Sequence, residues 1–306
     1  MRILDFEFRV AHLAAAPLMI LAAVALAAPL AAQRTWYNPD EYAYVSKPQV
    51  TSQTLAAGAT PLLAVNNLNG PITVTGDGGS TVRFTATETI AAKTQDALAA
   101  AQRDIHLDVT HTGDSVTLYV DGPFRCNSDD ATSRCDHWGR HWNNPGYKIQ
   151  FAFELHVPAG ARLDLKNISG DITSRGAGGA FQVRTINGAV DLEGLAAAGS
   201  ASTINGAVRA AFAANPPGDC SFHSINGAIR LYLHPGLNAE LKYRTLNGAV
   251  YSDFAVSPLA VPASSDRHGN MRVFRTGRNA SGRIGQGGPT LSVNTLNGSI
   301  FLHEVK

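Results

Sequence analysis

Two cysteines and two histidines stand close together in this sequence, at Cys126, Cys135, His137 and His141, with the residue types that form disulfides or bind metal. If the chain is exported, Cys126 and Cys135, nine positions apart, are expected to close a disulfide loop. On the chain-entropy estimate that loop stabilises by about 2.5–3 kcal/mol. Zinc held by all four side chains is the alternative, but structural zinc pairs usually sit only about two to four residues apart. The disulfide is therefore the preferred reading, with no metal and no cofactor expected. Cys220 is left over and reads as a buried free thiol.

Carboxylates suited to catalysis are sparse. The outward positions Thr173, Asp191, Arg209, Arg230, Tyr251 and Phe301 hold one acid, Asp191, whereas glycoside hydrolysis usually needs a carboxylate pair at a defined separation. No Gly-x-Ser-x-Gly turn places a serine nucleophile. The glycine-rich stretch at 277–288 lacks the Gly-Lys-Ser/Thr ending of a phosphate loop. Cations are more conspicuous. Arg209 and Arg230 recur at one position, and Lys166, Arg184, His223 and Arg244 at another. Arg184, Arg209, Arg230 and Arg244 are candidates for contact with an anionic ligand, and Arg209 and Arg230 on adjacent strands about 4.8 Å apart would repel unless screened.

A repeated phrase must position these side chains. It reads Thr185-Ile186-Asn187-Gly188-Ala189-Val190, Thr203-Ile204-Asn205-Gly206-Ala207-Val208, Ser224-Ile225-Asn226-Gly227-Ala228-Ile229, Thr245-Leu246-Asn247-Gly248-Ala249-Val250 and Thr295-Leu296-Asn297-Gly298-Ser299-Ile300. Asn167-Ile168-Ser169-Gly170-Asp171-Ile172 opens the block, and Asn67-Leu68-Asn69-Gly70-Pro71-Ile72 stands far upstream. Glycines 170, 188 and 206 are spaced by 18 residues, and 206, 227 and 248 by 21. Such a period predicts one supersecondary unit per repeat, stacked on its neighbours. Short runs of period-two apolarity between the Asn-Gly pairs make each unit a set of strands.

The expected fold is all-β, a single parallel β-solenoid (β-helix) with rungs of about 18–21 residues. In register, Ile168, Ile186, Ile204, Ile225, Leu246 and Leu296 would form one buried column, and Ile172, Val190, Val208, Ile229, Val250 and Ile300 a second. Asn187, Asn205, Asn226, Asn247 and Asn297 would form a carboxamide ladder. Gly170, Gly188, Gly206, Gly227, Gly248 and Gly298 would supply turns at positive φ. The upstream unit carries Pro71, which has no amide hydrogen for a ladder, and is expected at an edge. The N-terminal half adds one short helix at 94–103, capped by Thr94, and a hairpin over 105–121.

Residues 1–32 have the layout of a secretory signal peptide, with an apolar stretch at 13–32 and cleavage expected near Ala32. An uncleaved membrane anchor is the alternative, and the only membrane attachment expected. A polar leader follows at 33–60, then the β domain at 61–306. That domain is interrupted by a Cys-containing loop at 121–146 and a Gly-rich loop at 254–290. A net charge of +1 with 16% charged residues gives no electrostatic reason to expect nucleic acid.

The order Val157-Pro158-Ala159-Gly160-Ala161, Ile168-Ser169-Gly170-Asp171-Ile172, repeated Asn-Gly units and Gly287-Gly288-Pro289 before a last unit resembles the bacterial domains of unknown function classed as candidate adhesins. The resemblance spans about residues 60–306. It implies an envelope β-solenoid and carries no catalytic residues. The expected function is a non-catalytic, exported, periplasmic or cell-surface module with an adhesin-like binding or structural role. Its partner would be an anionic envelope polysaccharide or another envelope protein. A polysaccharide-active β-helix enzyme is the second reading.

Overall fold

The computed structural model describes residues 36–123, 125, 146–259, 264–268, 271–275 and 280–305. The signal segment and the Cys126, Cys135, His137 and His141 loop lie outside the described residues. All elements below belong to the unit Tyr37–Lys306.

The N-terminal half contributes β1 (Tyr44–Val45), β2 (Gln49–Ala56), β3 (Leu62–Asn66), β4 (Ile72–Asp77), β5 (Thr81–Ala92), α1 (Gln95–Asp104), β6 (His106–Thr112), β7 (Ser115–Asp121) and β8 (Tyr147–Pro158). The Asn-Gly block contributes β9 (Arg162–Lys166), β10 (Ile172–Arg175), β11 (Phe181–Arg184), β12 (Val190–Leu195), β13 (Gly199–Asn205), β14 (Val208–Phe212), β15 (Cys220–Asn226), β16 (Ile229–Leu233), β17 (Ala239–Arg244) and β18 (Val250–Ser252). An excursion forms β19 (Val256–Pro258), β20 (Ser264–His268), β21 (Met271–Arg275) and β22 (Ala280–Ile284), and the chain closes with β23 (Thr290–Asn297) and β24 (Ile300–Glu304). Helix α1 starts where expected, with the Thr94 hydroxyl accepting from the Ala97 amide at 3.1 Å.

These strands do not make a single parallel solenoid. Twenty-two of them form two 11-stranded sheets of mixed sense, and β20 and β21 pair antiparallel as a separate two-stranded sheet. Sheet 1 runs β1-β5-β8-β4-β10-β12-β14-β16-β24-β18, with β2 also on β5; sheet 2 runs β19-β22-β17-β23-β15-β13-β11-β9-β3-β7-β6. The middle of each sheet is parallel. The pairs β1/β5, β2/β5, β5/β8, β6/β7, β17/β22 and β19/β22 are antiparallel. The repeat phrase accounts for the parallel centre only; the antiparallel strands come from ordinary alternating segments such as β8, with Ile149, Phe151, Phe153, Leu155 and Val157 all buried. One core fills the space between the sheets, where Phe212 of sheet 1 meets Phe222 of sheet 2 edge-on at 6.3 Å.

Two further expectations are corrected. Within each Asn-Gly unit the chain passes from sheet 2 to sheet 1. Ile172, Val190, Val208, Ile229 and Ile300 are buried, but the other expected core column is not: Ile168, Ile186, Ile204, Leu246 and Leu296 stand 39–46% exposed. The reason is parity. The preceding Thr185, Thr203, Ser224 and Thr295 occupy the inward position and are buried, so the next residue must point out. Nor is Pro71 at an edge: it immediately precedes β4, which lies inside sheet 1 between β8 and β10. The amide that Pro71 lacks would have met the Phe151 carbonyl, and the buried Asn67 carboxamide donates to that oxygen instead, at 2.9 Å.

Candidate functional site

Each Asn-Gly unit is a tight stack that leaves its sheet-borne neighbours in fixed register. The glycines are required chiefly by close approach. Among the six glycines of the block that were expected at positive φ, only Gly170 (φ 132°) has it. At Gly206 a Cβ would fall onto the Gly188 carbonyl oxygen, and the same clash recurs from unit to unit. That carbonyl accepts from the Thr203 hydroxyl at 2.9 Å, and Ser224, Thr295 and Thr245 donate likewise to Gly206, Gly227 and Gly298. The carboxamides form a continuous ladder: Asn205 donates to Asn187 at 2.8 Å, Asn226 to Asn205 at 2.8 Å, Asn297 to Asn226 at 2.7 Å and Asn247 to Asn297 at 2.6 Å.

The four candidate arginines divide between the two outer faces. Arg209 and Arg230 pair in register on β14 and β16 of sheet 1. They turn away from each other. Arg209 bonds Asp191 at 2.8 Å and also Glu193 on neighbouring β12, and its guanidinium lies 4.9 Å from the Tyr232 ring centre. Arg175 reaches Glu193 from the other side at 3.2 Å. Arg230 covers Phe301 at 5.2 Å. Beyond the arginines the face is aromatic: Tyr251 stacks on Phe301 at 5.0 Å, Phe301 on His303 at 5.9 Å and His303 on Tyr232 at 5.1 Å. The Asp191 and Glu193 carboxylates hold the Arg209 pKa above its ordinary value, and Arg209 in turn holds Glu193 below the usual carboxylate range.

Sheet 2 presents a different face. Its register aligns Lys166, Arg184, Ser202, His223, Asn294 and Arg244 in one outward row. A second row aligns Asp164, Gln182, Ser200, Ser221, Ser292 and Lys242, and these line a shallow groove of about 830 Å³. Lys166 is paired with Asp164 at 3.0 Å. Among the described residues, Arg184, Lys242 and Arg244 have no carboxylate partner. The second Asp164 oxygen, Oδ1, is buried at the groove without a hydrogen-bond partner. Cys220 lies buried behind the floor, and desolvation pushes its thiol pKa up.

Sequence reasoning placed Arg184 and Arg244 in a common row but missed the serine floor, Lys242 and Asp164. The floor is formed by residues of unremarkable type that meet only through the strand register. The aromatic cluster was half visible, since Tyr251 and Phe301 share the Arg209 position, while Tyr232 and His303 come from the row beside it.

No family model and no curated protein matches the chain. Among solved structures it is similar to a candidate cell adhesion protein of Clostridium sporogenes, with a TM-score of 0.40 and 10% identity over 85% of this chain and 100% of that one. A candidate adhesin of Bacteroides fragilis has a TM-score of 0.27 and 11% identity over 84% of this chain and 97% of that one. A candidate lipid-binding protein of Parabacteroides distasonis has a TM-score of 0.21 and 9% identity over 85% and 97%. Likenesses this distant carry no weight for function, which rests on the two faces.

Proposed function

We propose that this chain is a non-catalytic, exported binding module that holds an acidic envelope polysaccharide along the outer face of sheet 2. The observation that supports this reading is a set of cations without acid partners among the described residues: Lys242, which lines the serine-floored groove, and Arg184 and Arg244 in the row beside it. From β11 to β17 there are four strand spacings, or about 19 Å. Such a surface suits an extended polymer carrying anions at intervals: hydroxyls on the floor hydrogen-bond sugar oxygens while guanidinium groups take carboxylate or sulfate. Arg209 and Arg230 are the weaker anchors, because one is engaged by two carboxylates and the other covers a ring.

An enzymatic reading is disfavoured by the same geometry. Asp191 and Glu193 are near neighbours, but a glycosidase acid needs a raised pKa, and Glu193 is shifted the other way by Arg209. The test is binding of the full chain to acidic and neutral glycans at low salt and at about 0.5 M salt, where the screening length falls below about 5 Å. Binding should favour the acidic glycan and weaken with salt. Arg184→Ala combined with Arg244→Ala should lower affinity tenfold or more, and Arg209→Ala with Arg230→Ala should change it much less. Equal binding to neutral glycan, or indifference to salt and to the first pair, rejects the reading. Shortening of the glycan during the assay would favour the enzyme.

A further inference from the structure

Among the described residues, five of the nine large apolar side chains that stand exposed occupy one position of the repeat: Ile168, Ile186, Ile204, Leu246 and Leu296. With Leu68 and Ile225 the position is Ile or Leu in all seven units. Parallel pairing of the flanking residues puts these side chains in spatial order Leu68, Ile168, Ile186, Ile204, Ile225, Leu296, Leu246. At the usual strand spacing the six from Ile168 to Leu246 make a ridge about 24 Å long. Leu68 packs against the core, but Ile168, Ile186, Ile204, Ile225, Leu296 and Leu246 lie outside it. The hydroxyl and glycine positions have internal partners, whereas a polar side chain could occupy the Ile position without leaving a core cavity.

Two residues before each member of the ridge is the row that holds Lys166, Arg184, His223 and Arg244. A second copy docking ridge against ridge would bring the Arg184 and Arg244 rows together and be opposed by like charge. A free polyanion would satisfy the row and leave the ridge in water. We infer that the ridge and its basic row dock on an anionic lipid bilayer, with the Ile and Leu side chains entering the headgroup boundary and Arg184 and Arg244 meeting lipid phosphates. This goes beyond the glycan reading and stands on a different observation, the exposed ridge. It shares only the basic row with that reading.

The test uses the full chain with phosphatidylglycerol and phosphatidylcholine vesicles. Ile204→Trp reports the ridge itself, whatever the N-terminal apolar segment does. Its added emission, taken as the difference from wild type, should shift to the blue and be quenched by acyl-brominated lipid in phosphatidylglycerol vesicles and not in phosphatidylcholine vesicles. Ile186→Ser, Ile204→Ser and Leu296→Ser together should lower vesicle affinity about tenfold, leave the melting curve in place and leave acidic-glycan binding unchanged. An unquenched Trp at position 204, or a triple variant that binds vesicles as wild type does, overturns the inference. So does a change of oligomeric state in the triple variant without loss of vesicle binding, which would assign the ridge to a second copy. If the Arg184/Arg244 variant loses glycan while the ridge variant loses only vesicles, the two readings stand separately; loss of either one alone identifies which has failed.

Discussion

The Thr203 hydroxyl and the Gly206 backbone solve one local problem between them. Stacking the units brings each glycine against the carbonyl of the one before, leaving no room for a Cβ, and that carbonyl is satisfied by a buried hydroxyl. Thr203→Val keeps the shape and removes the donor, leaving a buried acceptor unpaired, so it should cost about 1–3 kcal/mol. Gly206→Val forces the backbones apart and should cost several kcal/mol or prevent folding. Urea unfolding monitored by circular dichroism separates the two: equal midpoints for wild type and both variants would contradict the stacked arrangement. The sequence shows that a glycine and a hydroxyl recur here, but its apparent reason, positive φ, applies at Gly170 and not along the column. Close approach depends on what lies beside the glycine in the next unit, and no single unit contains that information.

At the scale of the strand, the carboxamide ladder links elements far apart in sequence. Asn226 sits within it, donating to Asn205 and accepting from Asn297, whereas Asn247 ends it with a single bond. These side chains are exposed, so each bond competes with water and is worth at most about 0.5–1.5 kcal/mol. Asn226→Ala should therefore lower the thermal midpoint more than Asn247→Ala, and the reverse order would show that the ladder is not what stabilises the stack. The ladder was legible from the repeat. The Ile column beside it was misread because Ile186 and Val190 are four positions apart, which in an uninterrupted strand would place both on one face. The Asn187-Gly188 corner intervenes, and the chain changes sheets between them.

Across the Asn-Gly block, which spans most of the molecule, spatial order departs from chain order at one place. The Asn297 unit comes last in sequence, yet β23 lies between β15 and β17, and β24 between β16 and β18. Equal glycine spacing from 206 to 248 suggested that the units stack as they are written, and nothing in the phrase itself tells a unit that its neighbour is some 50 residues away. After β18 the chain makes its excursion, lays β22 antiparallel on β17, and returns to fill the gap. Until that return, β17 and β18 have no strand linking them to the rest of either parallel stack. Folding must therefore wait for contacts of high sequence separation, which slows it. Ending the chain after Gly288 should then be far more damaging than trimming an edge: it removes the strands that join Leu241 and Val250 to the core through Leu291 and Ile300. The truncated chain should show no cooperative thermal transition by circular dichroism, and β17 and β18 should become sensitive to protease. A truncated chain that melts within a few degrees of the full one would mean that the last unit caps the stack from outside and that the observed insertion is wrong.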